Sequence, residues 1–424
     1  MKRWYVWCWC IFVSTTPILA QEFRSGVAST GFGLHRLSRA DSVVNAAVKA
    51  GEIPGAVALV IHRDCPVLYR SYGYADIASG RKMESDAIFR IASMTKAITT
   101  VAVMILYEQG HFLLNDPVSK FIPEFKHPRI LVKADSLGNI IETVPAKREI
   151  RIIDLLTHTS GISYPFIPNA LQPVYRKHNI LDAITTKDIQ LRDQMKLLAS
   201  LPLLFEPGSR YQYGLSADVL GYLCEVISGK TLADFFRQEI FDPLQMKDAG
   251  FYLSDRKAGR LVTLYSWDNE KKGLLVSRGD ESPINIDNPR FPVEGAKKYF
   301  SGGGGLSATV HDYGRFVRML LNEGELDGVR ILSRKSVELM TTPRTDMNND
   351  GKPDAGLGGL YVISDLGKRG ELGTAGEYLG SGAFYGHFWV DPREKIAIVF
   401  MSQVLPPRTN VAEKFHTAVY QALK

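Results

Sequence analysis

Cysteine is scarce in this chain. Of four cysteines in 424 residues, Cys8 and Cys10 fall within the first twenty, leaving Cys65 and Cys224. Two cysteines do not make a disulfide framework. They could pair in an oxidising compartment, but buried free thiols are the expected state. Charge of one sign is also lacking. The formal net charge is +6, two units of which are Lys2 and Arg3, so the rest carries +4. That is too weak and dispersed to argue for nucleic acid. No apolar run after residue 20 is long enough to cross a bilayer. Repeats and low-complexity linkers are absent. So is a Gly-x-Gly-x-x-Gly following a strand, and so is the Gly-x-Ser-x-Gly elbow of an α/β-hydrolase. The glycine run 302–305 lacks the Lys-Ser/Thr partner of a phosphate loop.

What remains reads as globular, with 45% hydrophobic and 23% charged residues. Residues 1–20 read as a signal peptide: Lys2 and Arg3, an apolar run at 4–13, then Pro17 to Ala20 before Gln21. An uncleaved anchor is the alternative, though the run is short for a span. Cys8 and Cys10 lack the small residues expected before a lipid-modified cysteine. The expected mature protein is residues 21–424, secreted or periplasmic, with no stable membrane span.

Strands are expected at 56–62 and 67–72, with Asp64-Cys65-Pro66 turning between them. A long helix follows, because Ile98, Val101, Ala102, Ile105 and Leu106 fall on one face and Gly110 can end it. The region from about 115 to 257 is richer in helical patterns, as at 153–156 and 217–227. Strands return at 388–390 and 396–401 around Asp391-Pro392, and 410–423 closes as a helix. Strands at both ends with helices between predict one sheet built from both termini and a helical region inserted in it.

Ser-x-x-Lys occurs three times, as Ser79/Lys82, Ser93/Lys96 and Ser254/Lys257. Ser79 sits by Gly80 in a turn, and Ser254 lies in a polar segment with no apolar face behind it. Ser93 opens the long apolar helix, where residues i and i+3 share a face and Lys96 can reach its hydroxyl. The helix start also supplies free N–H groups for a developing oxyanion. A serine hydroxyl needs such help, being a weak nucleophile near neutral pH.

Ile88-Phe89-Arg90-Ile91-Ala92-Ser93-Met94-Thr95-Lys96 resembles the first motif of the serine β-lactamase and penicillin-binding superfamily, nearest its class C members and their esterase relatives. Further likenesses follow in order: Ile53-Pro54-Gly55-Ala56, Leu114-Asn115-Asp116-Pro117-Val118, the loop Asp154-Leu155-Leu156-Thr157-His158-Thr159-Ser160-Gly161, and residues 301–307 with Asp312-Tyr313. The second motif, Tyr-x-Asn after Pro-Gly, is matched by Pro207-Gly208 and Tyr213, with Tyr211 its nearest competitor. Leu215 stands where β-lactamases carry Asn. The third motif, Lys-Thr-Gly, is replaced by Gly380-Ser381-Gly382, a position where esterase-like relatives often carry Trp-Gly-Gly.

The resemblance implies an α/β (α+β) fold, with an antiparallel sheet flanked by helices and an all-α subdomain. It implies Ser93 as nucleophile, with Lys96 and Tyr213 sharing its proton, since an ammonium beside a phenol favours the phenolate. The backbone N–H groups of Ser93 and Ala383 would form the oxyanion hole. Leu215, Gly380, Ser381 and Gly382 would border the substrate. The expected substrate is a small ester, with amides less favoured because the lactam-binding Asn and the carboxylate-gripping Lys are both missing. The alternatives are a D-amino-acid peptidase, a weak β-lactamase, or a silent sensor of cell-wall fragments. No cofactor or metal is required. His158 is expected to be a satisfied structural histidine. Asp346, Asn348, Asp350 and Asp354, with Gly351, match the opening of a calcium loop, but Leu357 occupies the place of its closing Glu.

Overall fold

The computed structural model describes residues 31–268, 270, 272–279 and 288–424. The expected signal peptide lies outside the described residues. A seven-stranded antiparallel sheet is built from β1 (Gly55–His62), β2 (Cys65–Asp76), β3 (Arg81–Lys82), β4 (Tyr361–Val362), β5 (Tyr378–Gly382), β6 (Gly386–Asp391) and β7 (Ile396–Met401). Its order is β4-β5-β6-β7-β1-β2-β3, so the first and last parts of the described chain meet where β1 pairs with β7. Val57 lies opposite Met401, Leu59 opposite Val399 and Ile61 opposite Ala397.

The period-two rule of a strand explains the layers. Every residue of β1 is buried. Ala56, Ala58 and Val60 face one layer, made by α1 (Leu34–Lys49) and, further along, the final helix Val411–Tyr420. Val57, Leu59 and Ile61 face the other, where α2 (Thr95–Glu108), α3 (Ser216–Ser228) and α4 (Val310–Leu321) lie; the final helix is α5. Each fully buried Val, Leu or Ile stabilises the fold by roughly 1.5–3 kcal/mol.

From Thr95 to Leu106 every residue of α2 is buried. The sequence stripe at 98, 101, 102, 105 and 106 is therefore only one side of a helix enclosed all round. Its polar residues find partners inside: Thr99 Oγ1 donates to Gly302 O at 2.7 Å and Thr100 Oγ1 to Lys96 O at 2.8 Å. The helical region also holds a two-stranded hairpin, Arg129–Ala134 with Ile140–Pro145, which the helical patterns there do not announce. Among the described residues Cys65 and Cys224 are unpaired, and Cys224 is buried. Among the described residues no helix is long and apolar enough to cross a membrane.

Candidate active site

The chain approaches Ser93 along a short strand, Ile88–Arg90, paired antiparallel with Ser307–Thr309. Arg90 is buried and anchors this approach. Its guanidinium donates to the carbonyls of Phe291 and Pro289, each at 2.5 Å, and of Val262 at 3.0 Å. Burial without a carboxylate partner pulls its pKa down to about 9. Ser93 then sits in a single 3₁₀ turn, Ala92–Met94, just ahead of α2 rather than inside it. Ala92 has φ +42°, a region that costs a non-glycine residue energy and tends to be held where geometry matters. Tyr313 Oη donates to Met94 O at 3.0 Å and pins the turn from α4.

Ser93 Oγ lies 2.6 Å from Tyr213 Oη, and Lys96 Nζ donates to Ser93 Oγ at 3.2 Å. Lys96 is only 4% exposed, whereas Ser93 and Tyr213 are partly exposed. The Lys96 amine also donates to Gly303 O at 2.6 Å and lies 4.7 Å from the Tyr213 ring centroid. The three side chains come from separate places in the sequence and meet at one hydroxyl. A hydroxyl with two adjacent proton carriers can attack an acyl carbon and hand its proton on.

Tyr213 is held by the loop that follows the short helix Ile152–Leu156. Gly208 N donates to Thr159 O at 2.7 Å and Gln212 N to His158 O at 2.8 Å. Gly214 fits because a Cβ there would stand 2.2 Å from Ile162 O. The loop is itself braced by Arg148, whose guanidinium grips Asp154 at 2.6 and 2.9 Å. Tyr211, the competitor, packs edge-on to His158, and its phenol has no hydrogen bond to Ser93.

The third-motif segment also comes to the site. Among the described residues only Tyr378 and Leu379 of β5 are paired on the outer side, by β4, so 380–382 form an open edge there. A Cβ on Gly382 would stand 2.2 Å from Ile91 O, so only glycine lets this edge close on the nucleophile turn. Ala383 packs in the same small apolar cluster as Ala92, while Ser381 is exposed and Gly380 partly so.

Two expectations need correction. Leu215 does not border the cleft: it is 0% exposed, inside the main core, because a branched aliphatic at the start of α3 gains more from burial than from the solvent edge. His158 is not fully satisfied. Its ring packs against Tyr213 and Tyr211, and among the described residues its buried Nδ1 has no hydrogen-bond partner. Burial, and secondarily Lys96, push its pKa down to about 3, so it is neutral. The 346–354 segment turns its carboxylates on itself. Asp346 accepts from Asp350 N and Gly351 N at 3.0 and 2.7 Å, and Asp354 accepts from Met347 N at 2.7 Å and from the Asn348 amide. Among the described residues no three His, Cys, Asp or Glu side chains are grouped to hold a metal.

Sequence reading missed a second layer. Asp218 in the first turn of α3 accepts from Ser301 Oγ at 2.5 Å and Gly303 N at 3.3 Å. The glycine run gains its reason here. A Cβ on Gly302 would meet Ala217 O at 2.5 Å, one on Gly303 would meet Asp218 Oδ2 at 2.4 Å, and one on Gly305 the Phe251 ring at 2.9 Å. These are glycines of close approach, not of a phosphate cradle. An acidic residue on the buried face of an apolar helical pattern was the available signal for Asp218.

The chain is similar to known proteins along most of its length. Over 372 residues the chain is 35% identical to Protein Rv1367c of Mycobacterium tuberculosis (strain ATCC 25618 / H37Rv), covering 84% of this chain and 87% of that one. Esterase EstB of Burkholderia gladioli is 33% identical over 378 residues, with 85% and 89% covered. Among solved structures, EstCE1, described as a hydrolase with promiscuous acyltransferase activity, superposes with a TM-score of 0.79 at 25% identity, covering 91% of this chain and 99% of that one. Residues 40–422 match the family described as beta-lactamase. With that match running from α1 past the end of α5, the chain belongs to the beta-lactamase family, among relatives that include esterases and acyltransferases.

Proposed function

We propose that this protein is a secreted serine hydrolase that cleaves small carboxylic esters through a Ser93 acyl-enzyme. The observation that carries the reading is the 2.6 Å contact between Ser93 Oγ and Tyr213 Oη, with Lys96 Nζ at 3.2 Å from the same oxygen. Ser93 Oγ attacks the ester carbonyl and its proton passes to the Tyr213–Lys96 pair. The oxyanion is held by the N–H groups of Ser93 and Ala383. Collapse expels the alcohol, which takes the proton back, and water then attacks the acyl-enzyme to release the acid. Leu215 in place of Asn, and Gly380-Ser381-Gly382 in place of Lys-Thr-Gly, favour esters over lactams and peptides ending in a carboxylate. Export rests on the basic and apolar start of residues 1–20.

A second reading, acyl transfer, is favoured by the likeness to EstCE1. It needs only an alcohol in place of water at the second step. The test is a chromogenic short-chain ester and a fluorophosphonate probe on the mature protein, with a lactam and a D-peptide alongside. Turnover and labelling should vanish in Ser93→Ala. Unchanged turnover in that variant would remove Ser93 from the role, and failure of every probe on folded protein would favour a silent sensor.

A further inference from the structure

We infer that Asp218 is the positioning residue of this site, holding the 301–304 turn so that the Gly303 carbonyl captures Lys96 and the amine is aimed at Ser93. The inference rests on the hydrolase reading above and adds a group that neither the motifs nor the comparisons assign.

Asp218 is 0% exposed in a helix whose first nine residues are all buried. A buried carboxylate needs partners or a countercharge. Oδ1 takes two, from Ser301 Oγ and Gly303 N. Ser301 Oγ in turn accepts from Gly303 N at 3.2 Å and Gly304 N at 3.1 Å. One carboxylate and one hydroxyl thus gather the amides of the turn on one side. The carbonyls of the same turn point the other way, towards α2: Gly303 O takes Lys96 Nζ at 2.6 Å and Gly302 O takes Thr99 Oγ1 at 2.7 Å. The turn is a peptide relay with an acid behind it and the amine in front.

Among the described residues Oδ2 has no hydrogen-bond partner, and it is aimed at the crowded space beside Gly303 and the Tyr164 hydroxyl. A purely structural acid would be expected to fill both oxygens. The groups that face this carboxyl are Lys96 from α2, Tyr164 from the loop before it in the chain, and Tyr299 ahead of the turn, with Asp182 next beyond the two phenols. Lys96 is the cation among them. Its charge draws the acid towards ionisation while burial holds the carboxyl up to about 6, so Asp218 changes charge inside the range where a hydrolase works. Above that point its negative charge, passed through the Ser301 hydroxyl and the Gly304 N–H to the peptide that carries Gly303 O, orients Lys96. Below it the acid is neutral and the relay loses its field.

The experiment measures the fluorophosphonate labelling rate of Ser93 from about pH 5 to about pH 8, with melting temperatures, for the wild type, Ser93→Ala, D218N and S301A. D218N keeps the Oδ1 acceptor and removes the charge. The expected result is a wild-type rate that falls as pH drops through about 6. D218N should be folded, label about tenfold slower at the alkaline end, and lack that inflection. S301A keeps the charge and loosens the turn, so it should label about threefold slower with the inflection retained. A D218N protein that labels at the wild-type rate with the same pH profile would overturn the inference. Should D218N fail to fold, S301A decides, and a wild-type rate there overturns it equally. No labelling of wild-type Ser93 would instead sink the hydrolase reading, and the inference with it.

Discussion

Asp218 makes a quantitative prediction about stability that is separate from its effect on rate. Its carboxyl is raised from 3.8 to about 6, chiefly by burial. A carboxyl raised on folding binds its proton more tightly in the native state than in the unfolded one. Its contribution to stability is therefore complete below about pH 4 and is lost as pH climbs through about 6. About two pKa units at 1.36 kcal/mol each make that loss about 3 kcal/mol. D218N cannot titrate, so the difference in unfolding free energy between D218N and wild type isolates this one group from every other carboxylate. The difference should move in favour of D218N by about 3 kcal/mol between about pH 4 and about pH 7. An unfolding entropy of about 2.1 cal/mol/K per residue makes 1 kcal/mol worth about 1.2 °C in a chain this long. The D218N melting point should then gain about 4 °C on the wild type across that interval, measured by calorimetry at matched ionic strength. The orphaned amide N–H₂ that D218N introduces would offset the curve by a constant of about 1–3 kcal/mol without changing its slope. A flat difference, or one of opposite sign, would refute the claim that Asp218 carries a destabilising buried charge near neutral pH.

The other predictions follow from single contacts. Y213F removes the 2.6 Å partner of Ser93 Oγ while keeping the ring against His158, so kcat on a short-chain ester should fall by about 10²–10⁴-fold with KM little changed. An unaffected kcat would pass the proton-carrying role to Lys96 alone. G382A would put a methyl 2.2 Å from Ile91 O, forcing β5 off the nucleophile turn. It should abolish Ser93 labelling and lower stability by about 1–3 kcal/mol, as read by denaturant titration. His158 has its pKa depressed to about 3, so its neutral form is favoured on folding, and the stability it confers is complete above about pH 6.5 and is lost as pH falls towards 3. H158F should therefore unfold less steeply on acidification than the wild type, followed by circular dichroism.

The parts of this fold that were legible share a physical feature: their signal is local. The short apolar run of β1 and the Asp391-Pro392 turn between β6 and β7 can be read in windows of a few residues. So can the apolar run of α2 and the Ser93 to Lys96 spacing, because one helical turn fixes both. The hairpin at Arg129–Ala134 and Ile140–Pro145 was harder. Val132, Ile140, Ile141 and Val144 are exposed apolar residues on a bulged pair of strands, so the inside–outside alternation that identifies a strand is broken there.

The site was legible only where side chains carry the chemistry. Ser93, Lys96 and Tyr213 are written as residue types at definite places in motifs, and the structure brings those three together. Leu215 misled because a motif position was read as a direction, whereas the side chain at the head of α3 turns into the core. Gly303 contributes a carbonyl, which any residue could supply, so nothing in its letter marks it as the acceptor for Lys96. What the letter does record is the absence of a Cβ, and that absence matters because Asp218 Oδ2 and Tyr164 Oη stand within 3 Å of where one would sit. The glycine and the buried acid are two sides of one close approach between α3 and the 301–304 turn. A sequence read residue by residue sees a flexible run and a helix-start aspartate. Their joint meaning exists only once the helix has brought the acid to the turn. The same reasoning explains why a larger residue at 303 and a neutral one at 218 should damage the site differently: the first by displacing the carbonyl, the second by leaving it in place without the charge behind it.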